Sequence, residues 1–169
     1  EGDLTREEAL AELTAAGERL RALGDSAAED KAVGLNRAAE TMQDSPMTIP
    51  LAQALAAGDY QEAAAVLQDL AEDVGEALTR EQELDLAEQL AQAAAALGAS
   101  NPDLAEQLVR AAQEIRDGDI AAAREALAQA SRTTGQAGQQ IAASRAAQRA
   151  ANQMGQSGQL ASAAQAGGT

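Results

Sequence analysis

Four carboxylates stand out among the residues that could do chemistry: Asp69, Glu72, Asp73 and Glu76, spaced i, i+3, i+4 and i+7. On one continuous helix that spacing places all four on a shared face. Such oxygens suit Ca²⁺, but calcium ligands usually converge from a loop and include backbone carbonyls. Repelling carboxylates on a straight helix make a solvated face instead, and that is the expectation. Asp117-Gly118-Asp119 with Glu125 has the residue types of a calcium loop without its ligand spacing. A helix stop followed by an N-cap accounts for it.

Enzyme chemistry is poorly supplied. The chain has no His and no Cys, which removes the commonest general base near neutral pH together with thiol catalysis, thiolate metal sites and disulfides. Ser26 and Lys31 lie five apart on one predicted helix and are not poised as nucleophile and base. Paired carboxylates cleave sugars only inside a shaped pocket, and Tyr60 is the only aromatic residue, with Phe and Trp absent. The glycines punctuate helices, and none begins a GxxxxGK phosphate loop. The chain is therefore expected to be non-enzymatic, with no catalytic, cofactor-binding or metal-ligating residue assigned and no cofactor.

Charge narrows the partners. Net charge is −15, from 27 acidic against 12 basic residues, which argues against nucleic acid, since phosphates need Lys and Arg. Between Leu51 and Ser100 the only basic residue is Arg80, facing Asp59, Glu62, Asp69, Glu72, Asp73, Glu76, Glu81, Glu83, Asp85 and Glu88. After Glu125 there is no acid, only Arg132, Arg145 and Arg149. The sequence is a dipole, acidic in the middle and weakly basic at its end. Hydrophobic residues make up 46%, mostly Ala and Leu, and no window approaches the roughly 18 apolar residues of a membrane span. The start, EGDLTREE, carries neither an initiator Met nor the regions of a signal peptide. One Lys among the basic residues, the others all Arg, suits a GC-rich bacterial genome. The expectation is a processed or excised piece of a bacterial extracytoplasmic, cell-envelope protein, with a cytoplasmic location left open.

Helices must position whatever these residues do. Apolar residues recur at alternating steps of three and four. Ala9, Leu13, Ala16, Leu20 and Leu23 form one stripe, with Thr5 and Glu8 as a capping box before it and Gly24 after it. Ser26 with Glu29 starts the next helix, striped by Ala28, Ala32, Leu35, Ala39 and Met42. DSPMTIP, residues 44–50, breaks the chain through its two prolines. A short helix then runs to about Ala57, Gly58 ends it, and Asp59 caps a helix striped by Ala63, Leu67, Leu70 and Val74. Thr79 and Gln82 open a helix with Leu86, Leu90, Ala93 and Leu97 on one face. Gly98 closes that one, and Asn101-Pro102 opens another with Leu104, Leu108, Ala111 and Ile115. After Gly118-Asp119, Ile120, Ala123, Leu127 and Ala130 stripe a last helix. From Thr133 large aliphatics thin out, and composition favours disorder at the end. Only Ala142–Ala151 reads as a closely packed helix, with Ala142, Ala146 and Ala150 as a narrow docking face and Arg145 and Arg149 beside it.

Two echoes suggest repetition. LAEQL occurs at Leu86–Leu90 and Leu104–Leu108, and AAGDYQEAAAVLQDL is echoed by EIRDGDIAAAREALAQA, aligning Gly58 with Gly118, Ala63 with Ala123 and Leu67 with Leu127. Such units usually mean stacked helical hairpins. GDYQEAAAVLQDL resembles the second helix of a tetratricopeptide repeat through Gly58, Asp59, Tyr60, Ala63, Leu67 and Leu70. Gly118, Asp119, Ala123, Leu127 and Ala130 match less fully. The resemblance implies a stacked-helix protein-binding scaffold. It covers about two half-repeats, and the family's period of about 34 is not kept. The Ala/Gln-rich hairpins are also similar in composition to helical segments of uncharacterised bacterial envelope proteins. Tyr60 is expected to cover its hairpin turn by packing, since Ile120 holds the equivalent place without a hydroxyl.

The expected fold is all-α: a helical hairpin (1–43), the Pro-containing break (44–50), stacked antiparallel hairpins (51–132) and an Ala/Gln/Gly/Ser-rich helix or tail (133–169). The expected function is a structural or protein–protein interaction domain whose partners are proteins, copies of itself among them. The alternatives are a subunit of a larger assembly, such as a filament or an accessory protein of a membrane complex, and a cation- or small-ligand-binding bundle.

Overall fold

The computed structural model describes residues 11–12, 14–16, 18–19 and 26–166, with side-chain surroundings up to residue 157. The protein is all-α, and no strand occurs among the described residues. In chain order the helices are α1 (Ser26–Thr41), α2 (Ile49–Ala57), α3 (Tyr60–Asp73), α4 (Arg80–Leu97), α5 (Pro102–Asp117) and α6 (Ile120–Ala166), with a 3₁₀ turn at Gly98–Ser100. The expected capping box at Thr5 and Glu8, the stop at Gly24 and most of the first stripe lie outside the described residues. Contacts divide the chain into two compact units, 29–141 and 1–28 with 142–169.

Within 29–141 the apolar stripes read from the sequence form the core. Leu35, Leu67, Leu86, Leu90, Leu97, Leu104, Leu108, Ile115 and Leu127 are all at most 3% exposed. Burying a leucine fully contributes roughly 1.5–3 kcal/mol, so the leucine stripes supply most of the driving force. Alanines at 0% exposure, among them Ala39, Ala63, Ala87, Ala93, Ala111 and Ala123, let neighbouring helices approach closely.

The two Gly-Asp turns share one geometry. Gly58 (φ 73°) and Gly118 (φ 81°) each end a helix in the left-handed region, which glycine enters without steric cost. Each following aspartate then starts the next helix. Asp59 Oδ1 accepts from the Glu62 amide, and Asp119 Oδ1 accepts from the Ala122 amide, both at 3.1 Å. The α4 start is a full capping box between Thr79 and Gln82. The Gly58 turn pairs α2 with α3, and the 3₁₀ turn pairs α4 with α5.

Two expectations change. The helix carrying Asp69 does not continue to Glu76: α3 ends at Asp73, Val74 is extended, and Gly75 takes φ +80°. The Asp73 carbonyl instead accepts from the Glu76, Ala77 and Leu78 amides at 3.1, 2.9 and 3.2 Å. A β-carbon on Gly75 would also lie 2.5 Å from Ile120 Cγ2, so the position is fixed both by backbone and by space.

The second change concerns the chain beyond Ala130. No break occurs at 132–133, and α6 continues through Gly135 and Gly138 to Ala166, where composition favoured disorder. Interior glycines each cost a helix about 1 kcal/mol. Here Gly138 is a site of close packing on α3, while Gly135 keeps ordinary spacing from it. Ser131 Oγ donates to the Ala64 carbonyl at 2.7 Å, and a β-carbon at Gly138 would lie 2.5 Å from Tyr60 Cβ. Tyr60, 6% exposed, is therefore held against the α6 backbone, which agrees with its expected packing role.

Candidate interaction surface

Two arginines close the end of the 29–141 unit where helices stop and start. Arg80, at the start of α4, donates through Nη1 to the Ile115 carbonyl and through Nη2 to the Arg116 carbonyl, both at 2.6 Å. Those carbonyls belong to the last turn of α5, where the helix's own ladder runs out of donors; the Ile115 carbonyl also accepts from the Gly118 amide at 3.2 Å. A guanidinium there satisfies them and complements the negative end of the helix dipole. Glu83, 6% exposed, joins this set: its Oε2 lies 3.3 Å from Arg80 Nη1, and its Oε1 accepts from the Gly75 amide at 3.0 Å.

Arg124 does the same for α3. It donates to the Val74 carbonyl from Nε and Nη2 at 3.0 and 2.9 Å, to the Glu72 carbonyl at 3.4 Å, and to Glu76 Oε1 at 2.8 Å. Arg80 and Arg124 are thus committed to helix ends. The sequence singled out Arg80 only as a lone cation among acids; its partners 35 and 36 residues away leave no local signal.

The other singled-out residues do not converge. Asp69, Glu72 and Asp73 are exposed on α3, while Glu76 has left the helix to meet Arg124. Among the described residues, no group of three or more acidic side chains could hold a metal ion. Asp117 and Asp119 flank the Gly118 helix stop, where Asp119 is the N-cap of α6, and Glu125 lies on α6 with its Oε1 accepting from Gln129 at 3.1 Å. Ser26 and Lys31 both sit on α1; Lys31 Nζ donates to Gln140 Oε1 at 2.5 Å.

A groove that was not foreseen runs along the first half of α4. It has a volume of about 530 Å³ and is lined by Ser45, Pro46, Met47, Glu81, Gln82, Leu84, Asp85 and Glu88. Ser45, buried, anchors one wall by donating from Oγ to Asp85 Oδ2 at 2.7 Å. Thr48, also buried, fixes the turn beneath by donating to the Met42 carbonyl at 2.8 Å. The result is an apolar strip of Met47 and Leu84, the latter 43% exposed, edged by Glu81, Asp85 and Glu88. One signal for it was available. Leu84 is two residues before Leu86, roughly 200° around the helix from the buried stripe, so it could not join the core.

Comparison with known protein families, with curated proteins and with solved structures gives no match. No helix among the described residues is long and apolar enough to cross a membrane.

Proposed function

We propose that this protein is a non-enzymatic protein-interaction domain, whose helical scaffold presents the α4 groove to a partner segment. The observation that carries the reading is the combination in one groove of exposed Leu84 and half-buried Met47 with three carboxylates. Apolar contact supplies affinity, while rim charges select the partner and speed its arrival. The matching segment is cationic and carries one aliphatic anchor. The two Gly-Asp hairpins of shared geometry support the likeness to tetratricopeptide scaffolds. Work outside the cytoplasm of a bacterium remains part of the proposal, on the composition alone.

Fluorescence polarisation with a panel of Arg- or Lys-bearing peptides, each with a single Leu, tests it against neutral and acidic panels. Saturable binding confined to the cationic panel, and weakened at least tenfold by Leu84→Asp, is expected. Equal binding of all panels, or binding indifferent to Leu84→Asp, would overturn it.

A further inference from the structure

The segment of α6 beyond Ile141 presents a face opposite in character to the groove. The narrow face of Ala142, Ala146 and Ala150 was expected to be the docked one. Instead Ile141, Ser144 and Ala151 are buried, Ala150 is half-buried, and Ala142, Arg145, Ala146 and Arg149 are exposed. No ion pair engages either arginine among the described residues. What remains is an exposed run of small side chains bordered by two guanidinium groups.

The geometry points to a contact between two copies of this chain, in which the Ala142/Ala146 face of one copy's α6 lies in the α4 groove of the next. This deepens the interaction reading above and rests on it. Three features match. Arg145 and Arg149 are spaced i, i+4, as are Glu81 and Asp85, so on straight helices both pairs are about 6 Å apart along the axis. Alanines admit close approach, which Met47 and Leu84 require if their exposed surface is to be covered. The acid-free end of the chain, after Glu125, supplies the cations that the acidic middle lacks.

Net charge opposes association in general, since each copy carries −15. At physiological ionic strength that repulsion is screened beyond about 8 Å, while facing side chains lie closer than this. Local complementarity therefore decides. Because the two surfaces differ, the contact is heterologous and repeats head to tail, giving rings if it closes and chains of molecules if it does not.

Sedimentation velocity on the full chain tests this from about 1 µM to about 1 mM, the span in which weak associations fall. Concentration-dependent association is expected. The double variants Arg145→Glu/Arg149→Glu and Glu81→Arg/Glu88→Arg should each weaken it at least tenfold. All four positions are exposed, and circular dichroism verifies that each variant is folded. Mixing the two variants should restore association in alternating copies, because the acidic face of one then meets the basic groove of the other, while the native face of the second still meets the native groove of the first. The control Glu40→Arg/Glu106→Arg makes the same charge change outside the groove and should leave association intact.

A protein monomeric throughout, association indifferent to both double variants, or a mixture of folded variants that forms no complex would each overturn the contact. If self-association fails while the cationic peptides still bind the groove, the interaction reading stands without it. If neither binds, both fall.

Discussion

Two glycines three residues apart on one helix make opposite demands. At Gly138 a β-carbon would lie 2.5 Å from Tyr60 Cβ, which is too near the α3 backbone to move aside cheaply. At Gly135 the nearest atoms, Ala64 Cβ and Gln61 Nε2, would be an ordinary 3.9 Å away. Gly135→Ala should therefore stabilise by about 0.5–1 kcal/mol through helix propensity and a less flexible unfolded chain. Gly138→Ala should destabilise by about 1–3 kcal/mol through overpacking. Denaturant midpoints read both, and equal signs would mean that α6 does not meet α3 as described. Arg124→Met keeps the aliphatic stem but removes every donor to the end of α3. It should cost about 1–2 kcal/mol, as the carbonyls lose a charged partner, with Arg124→Lys intermediate because a point charge cannot reproduce the fork. The sequence could not disclose these roles. Gly138 and Arg124 act through Tyr60 and Val74, and such partners follow from how helices pack, not from any local pattern.

Among the elements, what was legible had a period or a turn grammar. The Gly58 and Gly118 turns, the Asp59 and Asp119 caps and the Thr79–Gln82 box are local devices, and each stands where the residues put it. Leu67 and Leu127, aligned by the echo, are 2% and 0% exposed. Truncating either to Ala should destabilise by about 2–4 kcal/mol through lost transfer energy and the cavity left behind, and an unmoved midpoint at either would place it outside the core. The illegible elements are those where composition and context disagree. α3 ends at Asp73, and Val74 and Gly75 leave the helix before Glu76, so the four carboxylates share no single face. Thr133 onward reads as weakly structured because Gly, Ser and Gln lack apolar surface. Yet Thr134, Ala137 and Ile141 are buried at 0%, 4% and 2%, so the neighbours supply what the segment lacks. Hydrogen exchange should accordingly find the amides of 133–141 protected together with those of Ile120–Ala130. Exchange at unstructured-peptide rates there would end α6 where the composition suggested. The groove was half legible: Leu84 fell off its stripe, but Met47, inside the Pro-containing break, faces it only because Ser45 and Thr48 fold that turn onto the bundle.

For the whole molecule the dominant unlocal term is charge. Twenty-seven acids against twelve bases leave −15 on 169 residues, and folding brings those carboxylates closer than they are in the unfolded chain. Self-repulsion of this kind lowers the stability of the compact state. At about 0.01 M salt the screening length is about 30 Å, so carboxylates well apart on the surface repel one another, whereas at about 0.15 M it is about 8 Å. Added sodium chloride should therefore raise the melting temperature over that range and then have little further effect. The opposing contribution is modest. Three ion pairs occur among the described residues, Arg80–Glu83, Arg110–Glu114 and Arg124–Glu76, and each has at least one partner substantially exposed. Exposed pairs contribute only ~0–1 kcal/mol and lose part of that to screening. The hydrogen bonds from Arg80 and Arg124 to backbone carbonyls at 2.6–3.4 Å depend on contact geometry and are weakened less. Chloride is the appropriate anion, since sulfate also strengthens apolar burial and would raise the melting temperature for a different reason. A melting temperature that falls steadily with sodium chloride would show that the ion pairs outweigh the repulsion. The acidic surface would then be organised by pairing rather than merely tolerated by solvation.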